Sequence, residues 1–133
     1  MYNETITFYS KTPPNKWILE DCSISYWEEN RICGDDLKVY IKIKDNIIQD
    51  WSFEWDTAII TTACASIFWE SIIGMQLEEV FQLDYWYIEG LVGMEILPRR
   101  RQASVLWVLS TRNALHTYLK DGKKDDFKDL IHS

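Results

Sequence analysis

The run Leu37-Lys38-Val39-Tyr40-Ile41-Lys42-Ile43-Lys44 alternates apolar and polar residues without a break. That is the pattern of a β-strand with one face buried and one wet. Immediately before it stands Asn30-Arg31-Ile32-Cys33-Gly34-Asp35-Asp36, which places a thiol and a carboxylate two residues apart at the mouth of the strand. In extended chain, side chains two apart point the same way, so Cys33 and Asp35 can face one small target. Gly34 gives the backbone room to bend or approach closely. A soft thiolate beside a hard carboxylate is half of a metal site.

Working outward, 17–27 alternates in its later part (Cys22, Ile24 and Tyr26 against Ser23 and Ser25) and reads as a first strand. Asp45-Asn46 is a hairpin turn by composition, because short polar side chains tolerate positive φ. Residues 48–55 form a third strand, with Trp51, Phe53 and Trp55 on one face and Ser52 and Glu54 on the other. Short connections make these three a meander. After Trp55 the period changes from two to about 3.6. Asp56 or Thr57 can cap a helix running to about residue 73, which Gly74 ends. Its first half is full of small residues, so those turns press close against a neighbour.

Leu77, Val80 and Phe81 mark a short second helix, and 85–97 reads as irregular or loosely helical. A longer helix from about 100 to 118 buries Val105, Leu106, Leu109 and Leu115 and stops at Gly122; Phe127, Leu130 and Ile131 make a last amphipathic turn. Upstream, 2–9 is a weak short helix before Pro13-Pro14. Strands first and helices afterwards is the α+β order: a three-stranded antiparallel sheet with helices packed on one face.

At 133 residues the chain is expected to be a single domain over 1–133. No apolar run approaches the ~18–20 residues of a membrane span, and Met1-Tyr2-Asn3-Glu4-Thr5 lacks the basic and apolar regions of a signal peptide. The expected location is the cytoplasm. Three Cys then read as thiols rather than a disulfide framework. The net charge of −7 argues against nucleic acid, and Arg99-Arg100-Arg101 does not reverse it. Those arginines oppose the dipole of the helix they begin, which points to an acidic partner or the protein's own Asp and Glu. Cys22 and Cys64 read as buried small hydrophobes, and His116 as a partly exposed helix residue.

Asn30-Arg31-Ile32-Cys33-Gly34-Asp35 resembles the Asn-Pro-x-Cys-Gly-Asp loop of the IscU/NifU-type iron–sulfur cluster assembly scaffolds. Pro13-Pro14-Asn15 is similar to their early Pro-x-Asn segment. Ala63-Cys64-Ala65-Ser66, Gly74 and Leu77-Glu78-Glu79 resemble their Ala-Ser-Ala-Ser…Gly-x-x-x-Glu-Glu region. Leu97-Pro98-Arg99, Ala103 and Trp107 look like their Leu-Pro-x-Arg…Cys-Ala-x-Leu-x-Trp region. The resemblance runs from about 13 to 118 and implies a NifU/IscU-like fold with a metal or cluster site of three Cys and the Asp. Two of those Cys are absent. Ala58 stands at the second position, and Gln102, Ala103 or Ser104 at the third. Only Cys33 and Asp35 match residue for residue. The chaperone-recognition motif is reduced to Leu97-Pro98 followed by three Arg.

A closed zinc or [2Fe–2S] site wants about four ligands. A complete structural zinc site is worth roughly 10–16 kcal/mol, so half the ligands would give near ~5–8 kcal/mol, a millimolar to micromolar site. Cys64, six residues past Ala58, is more than one and a half turns into the helix and is expected to point elsewhere. Asp56 at the helix start is better placed, with Glu54 near it, and two ligands from each of two copies would also make four. The expected function is a divergent cluster-assembly scaffold binding iron, zinc or a cluster weakly through Cys33 and Asp35. The alternative is a metal-free interaction module that docks on sulfur-transfer or cluster-assembly proteins. Cysteine desulfurase is the partner the resemblance implies. A thiol enzyme is the weakest reading, because neither of the two His lies near Cys33 in sequence, so the chain is read as a non-enzyme.

Overall fold

Strand β2 (Asp35–Lys44) is the centre of a three-stranded antiparallel sheet, flanked by β1 (Ile24–Asn30) and β3 (Ile47–Glu54) in the order β1-β2-β3. A computed structural model describes residues 8, 11, 18–30, 35–54, 59–93 and 95–131, with the backbone alone for 29, 30, 35, 36, 59–62 and 99. The expected short helix over 2–9, the cap at Asp56 or Thr57, and Trp55 lie outside the described residues. In the sheet, Val39 stands opposite Tyr26 and Phe53, and Ile41 opposite Ile24 and Trp51. The alternation read from 37–44 therefore builds one continuous apolar face. Asp45 and Asn46 take φ of 55° and 60°, the left-handed pair that a two-residue hairpin needs.

The first strand starts later than expected. Residues 19–22 form a turn closed by the Cys22 amide donating to the Leu19 carbonyl, and the strand begins at Ile24. Cys22 is only half-buried there, whereas Cys64 is fully enclosed as expected.

The remaining elements are α1 (Ile59–Ile67), α2 (Trp69–Ile72), α3 (Leu77–Val80), α4 (Tyr85–Val92), a 3₁₀ turn (Pro98–Arg100), α5 (Arg101–Leu119) and α6 (Phe127–Leu130). The helix expected to reach residue 73 is interrupted at Phe68, although the Ile72 amide still donates to the Phe68 carbonyl across the break at 3.1 Å. Gly74 ends the run at φ +90°. The small residues of α1 do press against a neighbour: Ala63, Cys64, Ala65 and Ser66 are all buried, and α1 packs on α5.

α5 lies between the sheet and α1, and every residue from 103 to 111 is buried. Over that stretch the helix is thus enclosed on all sides, not along one stripe. The three hydroxyls in that stretch are satisfied by their own helix: Ser104 donates to the Arg101 carbonyl, Ser110 to Leu106 and Thr111 to Trp107. Thr111 also accepts from Trp51 Nε1 at 2.9 Å, which ties α5 to β3. The stop at Gly122 is corrected too. The helix ends at Leu119, with Lys120 left-handed at φ 56°. Turning there returns the chain to the helix, where Asp121 and Asp125 meet His116.

The stretch over 85–97 is more ordered than its sequence suggests. Asp84 caps α4 by accepting from the Tyr87 amide at 3.2 Å, and Gly93 closes it at φ 76°. A Cβ at Gly93 would touch nothing within 4 Å, so Gly93→Ala carries only the left-handed backbone cost, about 1 kcal/mol. Gly90 lies inside the same helix with equal space and no positive φ, so Gly90→Ala should stabilise by up to ~1 kcal/mol. Urea unfolding of the two variants should move in opposite directions. Two shifts of the same sign would refute this account of α4.

Candidate metal site

The antiparallel order brings the β1–β2 connection, the start of β2 and the end of β3 to one end of the sheet. Asn30 pairs with Asp35 there, and Glu54 pairs with Lys38. Asp35 is the first residue of β2, as the motif at the strand's mouth requires. Cys33, Gly34, Asp56 and Ala58 lie outside the described residues, and the Asp35 side chain is not described. Among the described residues no group of three or more His, Cys, Asp or Glu is placed to hold a metal ion. A closed site wants four ligands, and the described residues supply no group that would make one.

Among the described residues the further candidate donors are engaged elsewhere. Glu54 accepts the Tyr40 hydroxyl proton, and burial together with that carboxylate pushes the Tyr40 phenol up to about 12. Cys64 is wholly enclosed in the core, and burial pushes its thiol up to about 12, so at neutral pH it rests as the neutral thiol. Cys22 precedes β1 and Cys33 follows it. The seven-residue strand, roughly 23 Å long at 3.3 Å per residue, runs from the Cys22 end of the sheet toward the end where β2 begins. At the third family position Ala103 is buried, Ser104 spends its hydroxyl on the Arg101 carbonyl, and Gln102 is half-buried. None supplies a thiolate.

That same helix start is braced by Tyr85. Its hydroxyl donates to Glu89 at 2.8 Å and accepts from the Ile96 amide at 3.3 Å, while Arg101 lies 4.8 Å from its ring centroid. Arg101 also donates to the Ile96 carbonyl and pairs with Glu95. One of the three arginines therefore serves the protein's own acid, as the dipole argument suggested.

His116 corrects the sequence reading. It is buried, not partly exposed: Nδ1 lies 2.7 Å from Asp121, Nε2 lies 2.9 Å from Asp125, and Phe81 covers the ring. With both nitrogens committed it has none for a metal. Arg112 adds a second contact to Asp125, while Asn113 bridges Glu28 and the Asp125 backbone. This buried polar cluster escaped sequence reasoning. Its signal was the polar spacing Arg112, Asn113, His116 inside an apolar helix, followed by the acids Asp121 and Asp125.

The cluster makes one pH prediction. The hydrogen bond to His116 chiefly holds the Asp121 carboxyl below its ordinary value of 3.8. A carboxyl depressed in the folded state stabilises fully above its unfolded value and loses that contribution as pH falls through the folded one. Asp121→Asn should therefore flatten the acid limb of melting temperature against pH below about pH 4. A variant curve parallel to the parent's down to complete acid unfolding would contradict this.

Residues 1–125 match the family model of the NifU-like N terminal domain. The iron-sulfur cluster assembly scaffold protein IscU of Thermotoga maritima is 35% identical over 83 residues, which is 62% of this chain and 58% of that relative. Against IscU 1 of Archaeoglobus fulgidus the identity is 30% over 132 residues, 98% of this chain and 85% of the relative. A crystal structure of a candidate cluster-assembly scaffold of the SUF system from Fervidobacterium islandicum superposes with a TM-score of 0.75 at 22% identity, covering 86% of this chain and 96% of that one. On these matches the chain belongs to the family of the NifU-like N-terminal domain.

Proposed function

We propose that the chain is a scaffold-type protein of iron–sulfur cluster assembly. In this reading Cys33 and Asp35 lend two donors to an iron ion, a zinc ion or a cluster held as exchangeable cargo. The observation that carries the proposal is a Cys-Gly-Asp sequence whose last residue, Asp35, opens β2 in a member of this family. Two donors hold an ion weakly, so the remaining positions fall to a partner or a second copy of the chain. A cysteine desulfurase is the partner this reading implies. No catalytic step is assigned: Cys64 is neutral and enclosed, and His116 is saturated by carboxylates.

A second reading is favoured by one observation. At the third family position stand Gln102, Ala103 or Ser104: an amide, an alanine and a serine whose hydroxyl is already bonded, none of them a thiol. A member with so few donors can work as a metal-free module that docks on the assembly partners. Metal analysis of protein purified without added metal, repeated after anaerobic incubation with iron and sulfide, separates the two. The scaffold reading expects up to one equivalent per chain, lost in Cys33→Ser. No metal before or after reconstitution, with retention on an immobilised cysteine desulfurase, would replace it by the docking module.

A further inference from the structure

The opposite end of the sheet carries a groove of about 460 Å³ between the β2–β3 turn, α3 and the end of α5. Its apolar lining includes Ile47, Leu77, Phe81 and Leu119, and two of these are open to water, Ile47 at 37% and Leu119 at 45%. Asp45 and Glu78 stand on its rim. Among the described residues neither carboxylate has an ion-pair partner; Lys44 and Lys120, close by in sequence, pair with neither. The walls are fixed. The Leu77 amide donates to the Asn46 carbonyl at 3.0 Å, the Ile48 amide to Met75 at 2.8 Å, and the Gly74 amide to Ile48 at 2.8 Å. The volume falls within the range of small ligand pockets and takes a large side chain or two, not a folded surface.

We propose that this groove docks a basic segment of a partner protein, inserting one bulky apolar side chain between flanking Lys or Arg residues. The apolar lining supplies the anchor contact. The two unpaired carboxylates supply charge complementarity, which selects a cationic flank over an acidic one. Because the walls are already hydrogen-bonded, little ordering accompanies docking, and a short segment suffices. The length of β2, roughly 30 Å, separates the groove from the Asp35 end of the sheet, so a partner here leaves the proposed metal end free.

The probes are three synthetic pentapeptides: leucine between two arginines on each side, the same peptide with serine at the centre, and leucine between two glutamates on each side. Each is titrated into the isotope-labelled full chain while the amide resonances of Ile47, Leu77, Phe81 and Leu119 are followed. The arginine–leucine peptide should shift these four. Its affinity should fall about tenfold with the serine centre, and likewise in the Asp45→Asn/Glu78→Gln variant, whose changes are isosteric and exposed. The glutamate peptide should leave them in place. Equal binding of the leucine and serine peptides would reveal charge attraction alone and overturn the proposal. So would no shift at millimolar peptide, shifts centred elsewhere, or unaltered affinity in the variant. Groove shifts that track protein concentration without peptide would put a second copy there instead, and would equally overturn it.

Discussion

Trp107→Ala is expected to lower the unfolding free energy by about 3–5 kcal/mol, against 5–15 kcal/mol for a whole domain. Trp107 is the middle of an aromatic chain that crosses the molecule. Its ring meets Trp51 of β3 edge-on at 6.1 Å and stacks on Phe68 at 5.4 Å; Phe68 in turn lies 6.4 Å from Tyr87 of α4. Sheet, central helix and outer helices thus meet through one side chain. Removing it opens a cavity that three elements would have to close together. Trp107→Phe is the informative control. Trp107 Nε1 is buried without a hydrogen-bond partner among the described residues, so phenylalanine removes an uncompensated donor along with some volume. The two effects oppose each other, and the cost should stay below about 1.5 kcal/mol. Trp51→Phe should exceed it, because Trp51 Nε1 donates to Thr111 and that bond is lost. If Trp107→Phe proves the costlier of the two conservative changes, the chain of rings is not the support described. Urea unfolding followed by tryptophan fluorescence and far-UV dichroism measures all three variants.

The sheet was legible in the sequence because one period decides it: a strand with one buried face repeats every two residues, and 37–44 does so without interruption. The hairpin was legible because Asp45-Asn46 is among the few pairs that accept two positive φ values. Helix α4 was less so. Its eight residues carry aromatic and aliphatic side chains on several faces, so no stripe stands out, and only the caps Asp84 and Gly93 mark it. α5 was found, but not its full enclosure, because Ser104, Ser110 and Thr111 look like solvent-facing positions. A hydroxyl that bonds its own helix backbone can be buried as readily as a methyl group. The Cys33–Asp35 pair was legible as a local motif. Whether it has companions is a long-range matter, set by the register of β3 and the seating of α5, and no spacing along the chain shows it. The inertness of Cys64 and the saturation of His116 belong to the same class: both follow from what folds over them.

Asp125→Ala should be the costliest change outside the apolar core, at about 3–5 kcal/mol. One carboxylate oxygen accepts from Arg112 Nε and His116 Nε2, each at 2.9 Å, and the three side chains are 15%, 13% and 8% exposed. Without it, a guanidinium and an imidazole share a nearly closed space with no anion between them. Arg112 keeps one bond to the Leu83 carbonyl, and His116 keeps Asp121, so neither is stranded completely. A surface pair makes the comparison. Lys42 and Asp21 meet at 2.6 Å, shorter than either bond to Asp125, yet both are open to water, with side chains 38% and 65% exposed. Solvent screens that pair and side-chain entropy opposes it, so Lys42→Ala should leave the melting temperature within replicate scatter. Burial, not separation, decides between them. Asp125→Asn keeps the shape and tests the charge: the amide can still accept one bond but carries no charge to set against the Arg112 guanidinium, so it should fall between the parent and the alanine variant. Chemical denaturation at neutral pH gives the ranking. An alanine variant within about 1 kcal/mol of the parent would mean that water reaches the cluster freely, and that α6 and the turn before it are not held by it.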